Sequence, residues 1–242
     1  MSLDVEDRDG VAVVRLAHGK VNALDLDLLR AIAAAFEELD RGDATAVVLT
    51  GSGRAFSAGV DLWRILDGGA AYAREFLSAL DAAFLAVFGI GKPTVAAING
   101  HAIAGGAILA AACDQRVMSG GTIGVTELLV GVPFPTTALD ILGYAWGGPA
   151  ARRAVLSGAT LRPEEALAAG HVDQIGTTAA AVARARRLAG IAPDSYRLTK
   201  AQLHSGIPGP VEPRVAELWA RAVEDGRIGR YMAGVTRQRK DA

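Results

Sequence analysis

Twice in this chain a buried-type strand pattern runs into a loop of small residues that opens a helical pattern. The first loop is Ala55-Phe56-Ser57-Ala58-Gly59-Val60-Asp61-Leu62, and the second is Asn99-Gly100-His101-Ala102-Ile103-Ala104-Gly105-Gly106. A strand that turns sharply into a helix leaves the first amides of that helix without intrahelical partners. In the first loop Ala58 is small and Gly59 supplies an unrestricted backbone, so the Ala58 N–H is expected to point outward. In the second, Gly105-Gly106 stands where unbonded amides and the positive helix end coincide. Two donors from separate loops suggest an oxyanion hole, a pair of amides aimed at one developing negative oxygen.

The rest of the chain repeats this theme. Val11–Leu16 is β-branched and follows Asp9-Gly10, so it pairs as a hairpin with residues 3–6. Leu24, Leu28, Ile32, Phe36 and Leu39 recur at helical spacing, with Asp25 as N-cap and Gly42 beyond the end. Strands are expected at 45–50, 94–98 and 114–118, and helices at 71–88 and 107–112. Strands and helices thus alternate in units of about fifty residues, which predicts an α/β fold of repeated strand-strand-helix (ββα) turns. After about Pro149 the pattern turns helical, at 150–157, 163–169, 178–188, 195–204 and 212–224. The expected division is a ββα core carrying the site at 1–148 and a C-terminal helical subdomain at 149–242, packed on the core or on a neighbouring subunit.

Composition narrows the partners. With 25 basic and 26 acidic residues the net charge is −1, so neither nucleic acid nor an anionic membrane is expected as a partner. Basic residues cluster only at 184–187 and 237–240; the second cluster suits a phosphorylated small molecule or a solvated terminus equally. Residues 93–113 carry no formal charge, but Pro93, Asn99, His101 and the glycines make this stretch a strand, turn and buried helix rather than a membrane span. The lone Cys113 allows no intrachain disulfide, which fits a reducing, cytoplasmic setting, and it reads as a buried small residue. The polar, acidic start is unlike a signal peptide.

Few groups are available for chemistry. Gly51-Ser52-Gly53-Arg54-Ala55-Phe56 lacks the third glycine of a dinucleotide fingerprint, so no nicotinamide is expected. His18, His101, His171 and His204 are scattered without metal-ligand spacing, and His101 beside a strand end reads as structural. Between Asp81 and Asp140 the only carboxylates are Asp114 and Glu127.

With Val21-Asn22-Ala23-Leu24 before them and Cys113-Asp114 after them, the two loops resemble the crotonase superfamily, the enoyl-CoA hydratases and isomerases. The resemblance extends through residues 47–61, 93–114 and 124–131, and Glu164-Glu165-Ala-Leu-Ala-Ala-Gly-His-Val-Asp173. It implies a crotonase-like spiral, an acyl-CoA substrate, no metal, nicotinamide or flavin, and a homotrimer or dimer of trimers. The thioester carbonyl would be held by the N–H groups of Ala58 and Gly105, stabilising an enolate. Coenzyme A would run past Lys20, Val21 and Ala23, and past Phe56, Ala58, Asp61, Leu62 and Gly105, largely through backbone atoms.

Hydratases of that family carry two glutamates. Here the first position is Ile108 and the second is Glu127. Hydration asks the protein to orient water and also deliver a proton, whereas moving a proton within the substrate needs one carboxylate. The single-glutamate pattern resembles the Δ3,Δ2-enoyl-CoA isomerases, as do Lys20-Val21-Asn22-Ala23-Leu24, Leu198-Thr199-Lys200 and Gly170-His-Val-Asp-Gln174. Glu127 would then take a proton from C2 of a 3-enoyl thioester and return it at C4. Hydratase, thioesterase or decarboxylase chemistry and a non-catalytic acyl-CoA-binding paralogue remain the alternatives. Asp61 and Asp140 are reserve bases, Asp61 reading as a helix start and Asp140 as a solvated helix position. Trp63, Ile65, Leu66 and Phe134 are candidates for the acyl pocket.

Overall fold

β1 (Leu3–Arg8) and β2 (Val11–Leu16) form an antiparallel hairpin whose turn residues, Asp9 and Gly10, both take positive φ. The structure is a computed structural model describing residues 2–207 and 214–238; Glu212 and the basic pair Arg239-Lys240 lie outside the described residues. α1 (Leu26–Arg41) is capped by Asp25, whose carboxylate accepts from the Leu28 amide, and buries Leu28, Leu29, Ile32 and Phe36.

Three ββα turns follow. β3 (Ala46–Gly51) and β4 (Ala55–Ser57) lead into α2 (Leu62–Gly89). β5 (Thr94–Ile98) and β6 (His101–Ile103) lead into α3 (Gly105–Ala111), and β7 (Gln115–Met118) and β8 (Ile123–Gly124) into the single turn α4 (Glu127–Val130). The first strand of each turn enters one sheet and the second enters another. The remaining described elements are α5 (Thr136–Trp146), α6 (Gly148–Ser157), β9 (Thr160–Leu161), α7 (Pro163–Ala168), β10 (Gln174–Ile175), α8 (Thr178–Ala189), α9 (Pro193–Leu203), α10 (Arg214–Glu224) and α11 (Arg227–Gln238). The sheets run in the orders β1-β2-β3-β5-β7-β10 and β4-β6-β8-β9.

Strand alternation divides the large sheet between two cores. Val47, Leu49, Ala96 and Ile98 face the main core with α1, α2 and α3, while Ala46, Val48, Val95 and Ala97 face Ala181, Val182 and Ala185 of α8. Burial on both faces explains why β3 and β5 read as continuous apolar runs.

Three expectations are corrected. The helix placed at 71–88 forms there, but across a break at Gly69 (φ 67°, ψ −162°) it is preceded by a helical segment from Leu62 that Asp61 caps and that lies outside the expected range. α11 adds a helix to those expected, and the helix position expected at Asp140 belongs to α5, whose apolar residues follow a turn without a side-chain cap. The tail is not helical alone, since β9 pairs with β8 and β10 with β7, so both sheets cross the 148/149 division. These strands are two residues long, too short for alternation to register. No described helix is long and apolar enough to cross a membrane.

Candidate active site

The spiral brings three equivalent junctions together. Each lies where the second strand of a ββα turn passes into its helix, and the parallel pairing of β4, β6 and β8 sets these junctions side by side. Ser57 pairs with Ala102, Ala102 with Ile123, and Ile103 with Gly124. One residue further on, the Ala104 N–H donates to the Gly124 carbonyl at 2.8 Å. The first loop, Gly105 and the Glu127 turn are therefore neighbouring rungs.

The contact between the first two junctions is tight. A Cβ on Gly59, whose φ is 81°, would stand 2.5 Å from the Ile103 carbonyl oxygen and 3.3 Å from the Gly105 nitrogen. A Cβ on Gly106 would stand 2.4 Å from the Ser57 carbonyl oxygen. Ala104 is bent between them at φ 51° and ψ −124°, a conformation costly for any residue with a side chain. The paired glycines let α3 approach β4 this closely.

The donor of the first loop differs from expectation. The Ala58 N–H gives its hydrogen bond to the Val21 carbonyl at 3.0 Å, and the Gly59 N–H gives its own to Ser57 Oγ. Leu24 brackets Val60 as a parallel bridge, donating to the Gly59 carbonyl and accepting from the Asp61 amide. In that pairing the bracketed residue turns its own N–H away from the bridging strand. The Val60 amide, with no hydrogen-bond partner among the described residues, replaces Ala58 as the free donor of this loop. Nothing in the local sequence signalled this, because Val21 and Leu24 come from a segment more than thirty residues upstream. At the second loop the Gly105 amide is likewise without a partner among the described residues.

Residues 20–23 wrap around the first loop. Asn22 is fully buried at φ 50°, and its side-chain amide donates to the carbonyls of Ser52, Ala55 and Phe56 while its own carbonyl accepts from Ser57 Oγ. Lys20 is exposed, and Val21 and Ala23 are half-buried against the same loop. The Phe56 ring is core and its carbonyl accepts from the Asn22 side-chain amide. Asp61 caps α2, accepting from the Trp63 and Arg64 amides, and Leu62 packs on the core. Ile65 and Phe134 are buried, Leu66 is partly buried and Trp63 is largely exposed.

Glu127 opens α4 with only 5% of its surface exposed, and its Oε2 has no hydrogen-bond partner among the described residues. Burial pushes its pKa up to about 7, with the backbone amides of Glu127 and Thr126 pulling it back. Ile108, inside α3, is 1% exposed. Asp114 stands elsewhere, bound by Thr94, Tyr196 and Lys200. Asp140 lies half-buried on α5.

The other candidates carry structural duties. His101 is exposed and bonds Thr122 Oγ1 through Nδ1, and His18 pairs with Asp25 at 2.8 Å. His171 stacks on Trp146 with ring centroids 4.0 Å apart, and burial pushes its pKa down to about 4. Burial pushes the Cys113 thiol up to about 12, which makes it a poor nucleophile. Among the described residues no group of His, Cys, Asp or Glu side chains is arranged to hold a metal ion.

Comparison with known proteins agrees with this architecture. The enoyl-CoA hydratase/isomerase family matches residues 6–225. The chain is 38% identical over 223 residues to a probable enoyl-CoA hydratase of Mycobacterium avium, covering 87% of this chain and 83% of that one. It is 32% identical over 178 residues to the mitochondrial enoyl-CoA delta isomerase 1 of Rattus norvegicus, a match spanning 72% of this chain and 62% of the isomerase. The crystal structure of human mitochondrial delta3-delta2-enoyl-CoA isomerase superposes with a TM-score of 0.85 at 26% identity, covering 100% of this chain and 99% of that chain. The chain has the crotonase fold and belongs to the enoyl-CoA hydratase/isomerase family.

Proposed function

We propose that this protein shifts the double bond of a 3-enoyl-CoA to give the conjugated 2-enoyl-CoA. The observation that carries the reading is the lone carboxylate of Glu127, buried with an oxygen unpartnered among the described residues; at position 108, where the resemblance puts the other glutamate of a hydratase, the chain has isoleucine. The thioester carbonyl sits between the Val60 and Gly105 amides. Donors held at a site where negative charge develops are worth about 3–4 kcal/mol each in a water-poor setting. Ionised Glu127 takes the proton from C2, the electron pair spreads through C3 and C4 as a dienolate, and Glu127 returns the proton at C4. No net proton leaves the site, so one carboxylate suffices. Coenzyme A is the carrier of the substrate and no further cofactor takes part. It lies along residues 20–23 and the first loop, contacting chiefly backbone.

Ile108 is what favours isomerisation over hydration. Water addition needs a second polar group to orient the nucleophile, and the apolar side chain at 108 supplies none. Assembly as a homotrimer or dimer of trimers belongs to the same proposal and draws support from α9, where Leu198 is 62% and Leu203 59% exposed.

Incubation with 3-enoyl-CoA and separately with 2-enoyl-CoA tests the reading. Conjugation of the 3-enoyl substrate without water uptake is the expected result. Formation of 3-hydroxyacyl-CoA would instead establish a hydratase, and tight binding without turnover an acyl-CoA-binding paralogue.

A further inference from the structure

The C-terminal helices reach back to the turn that carries Glu127. After α4 the chain runs Gly131-Val132-Pro133, and two side chains from the far end of the sequence seize its carbonyls. Trp219 Nε1 of α10 donates to the Pro133 carbonyl at 2.9 Å. Arg227 Nη1 of α11 donates to the Gly131 carbonyl at 2.8 Å, and its aliphatic stem lies directly over Gly131. The turn is also tied to itself, since the Val132 amide donates to the Glu127 carbonyl at 3.2 Å. Movement at 131–133 is thereby transmitted to residue 127.

Both clamping groups are themselves held. Trp219 is 1% exposed within the main core. Arg227 is fixed by Asp225, whose two carboxylate oxygens accept from its Nε at 3.0 and 2.9 Å. α10 packs along α2, and α11 touches both α2 and α4. Glu127, by contrast, has no side-chain partner fixing its Oε2 among the described residues, so its position rests on its backbone.

We infer that Trp219 and Arg227 are positioning residues for the proton transfer, holding the Glu127 turn against the core from two helices of the tail. The inference rests on the reading of Glu127 as the base. It makes the tail part of the working site rather than a packing appendage. It also explains why the Glu127 carboxyl stays dry: loosening the turn admits water and moves its titration toward the ordinary carboxylate range.

Trp219→Phe keeps the ring and removes the donor; Arg227→Met keeps the stem and removes both hydrogen bond and charge. Each is expected to lower kcat for 3-enoyl-CoA about tenfold, because a small misplacement of a reacting group has disproportionate cost. KM should stay within about twofold, and the acid limb of the pH–rate profile should move to lower pH. Arg227→Lys, which retains a donor, should recover part of the loss. Val182→Ala, in the separate core between α8 and the large sheet, should lower Tm while leaving kcat and the pH profile unchanged. Loss of Tm in Trp219→Phe and Arg227→Met with kcat and acid limb unmoved would overturn the inference. Failure of the underlying reading is distinguishable: Glu127→Gln would then retain turnover, whatever the clamp variants do.

Discussion

Asp114 and Glu127 are neighbours in a short inventory of acids, and their surroundings are opposite. Asp114 accepts from the Thr94 amide at 2.8 Å, from Thr94 Oγ1 and Tyr196 OH at 3.0 Å each, and pairs with Lys200 at 2.9 Å. Lys200 is itself buried and also donates to the Lys92 carbonyl. This carboxylate joins α9 to the large sheet, and its lone pairs are committed. Glu127 is buried more deeply, 5% exposed against 16% for the Asp114 side chain, and among the described residues it has no ion-pair partner and one oxygen unbonded. A carboxylate surrounded by donors fastens structure; one stripped of them has its pKa raised to where it can accept and return a proton near neutrality. The same residue class, in the same core, serves two ends because of what the chain places around it.

The comparison breaks most visibly at Asp114. Asp114→Ala strands the Lys200 ammonium in the interior, and losing one partner of a buried pair costs about 3–5 kcal/mol. Urea unfolding should register that loss, while turnover per folded molecule remains close to the parent. Equal stability of the variant would remove the fastening role. Glu127→Gln should do the reverse, lowering kcat about 10³-fold, within the usual range for a lost acid–base group, with acyl-CoA binding and fold retained. A product assay with direct binding measured on the same preparation decides this.

Stability against pH sharpens the contrast further. The folded-state pKa of Glu127, raised from 4.5 to about 7, means the folded protein holds this proton more tightly than the unfolded chain. Stability therefore falls as pH climbs from about 4.5 through about 7, and the full cost above that, about 3 kcal/mol, comes from ionising a buried group. Glu127→Gln cannot ionise, so its stability relative to the parent should grow between about pH 5 and pH 8. A pH-independent difference would place the carboxyl in water. The smallest effect is expected at His101, whose exposed ring bonds only Thr122 among the described residues. His101→Ala should change stability by no more than about 0.5 kcal/mol and leave turnover unchanged.

Much of this was legible in the sequence. The hairpin at Asp9-Gly10, the Asp25 cap and the apolar runs of β3 and β5 are local signals, and each element forms where its pattern places it. The two small-residue loops do meet. The free amide could not be read from them, because whether Ala58 or Val60 turns its N–H outward depends on Val21 and Leu24 arriving from another part of the chain. The strands β9 and β10 are too short to show a period. The reach of Trp219 and Arg227 to the Glu127 turn spans 86 and 96 residues, and no local rule announces it. Motif position singled out Glu127, but its unbonded oxygen and dry surroundings are properties of the packed chain.

The most direct test of the account follows the Glu127 carboxyl itself through a pH titration, by difference infrared or carboxyl-carbon NMR against Glu127→Gln, alongside kcat/KM for 3-enoyl-CoA. The prediction is one carboxyl titrating near about pH 7 that is missing from the variant, with isomerisation rising through the same midpoint. A carboxyl that titrates in the ordinary range, near 4.5, with a rate independent of pH through neutrality, would contradict it.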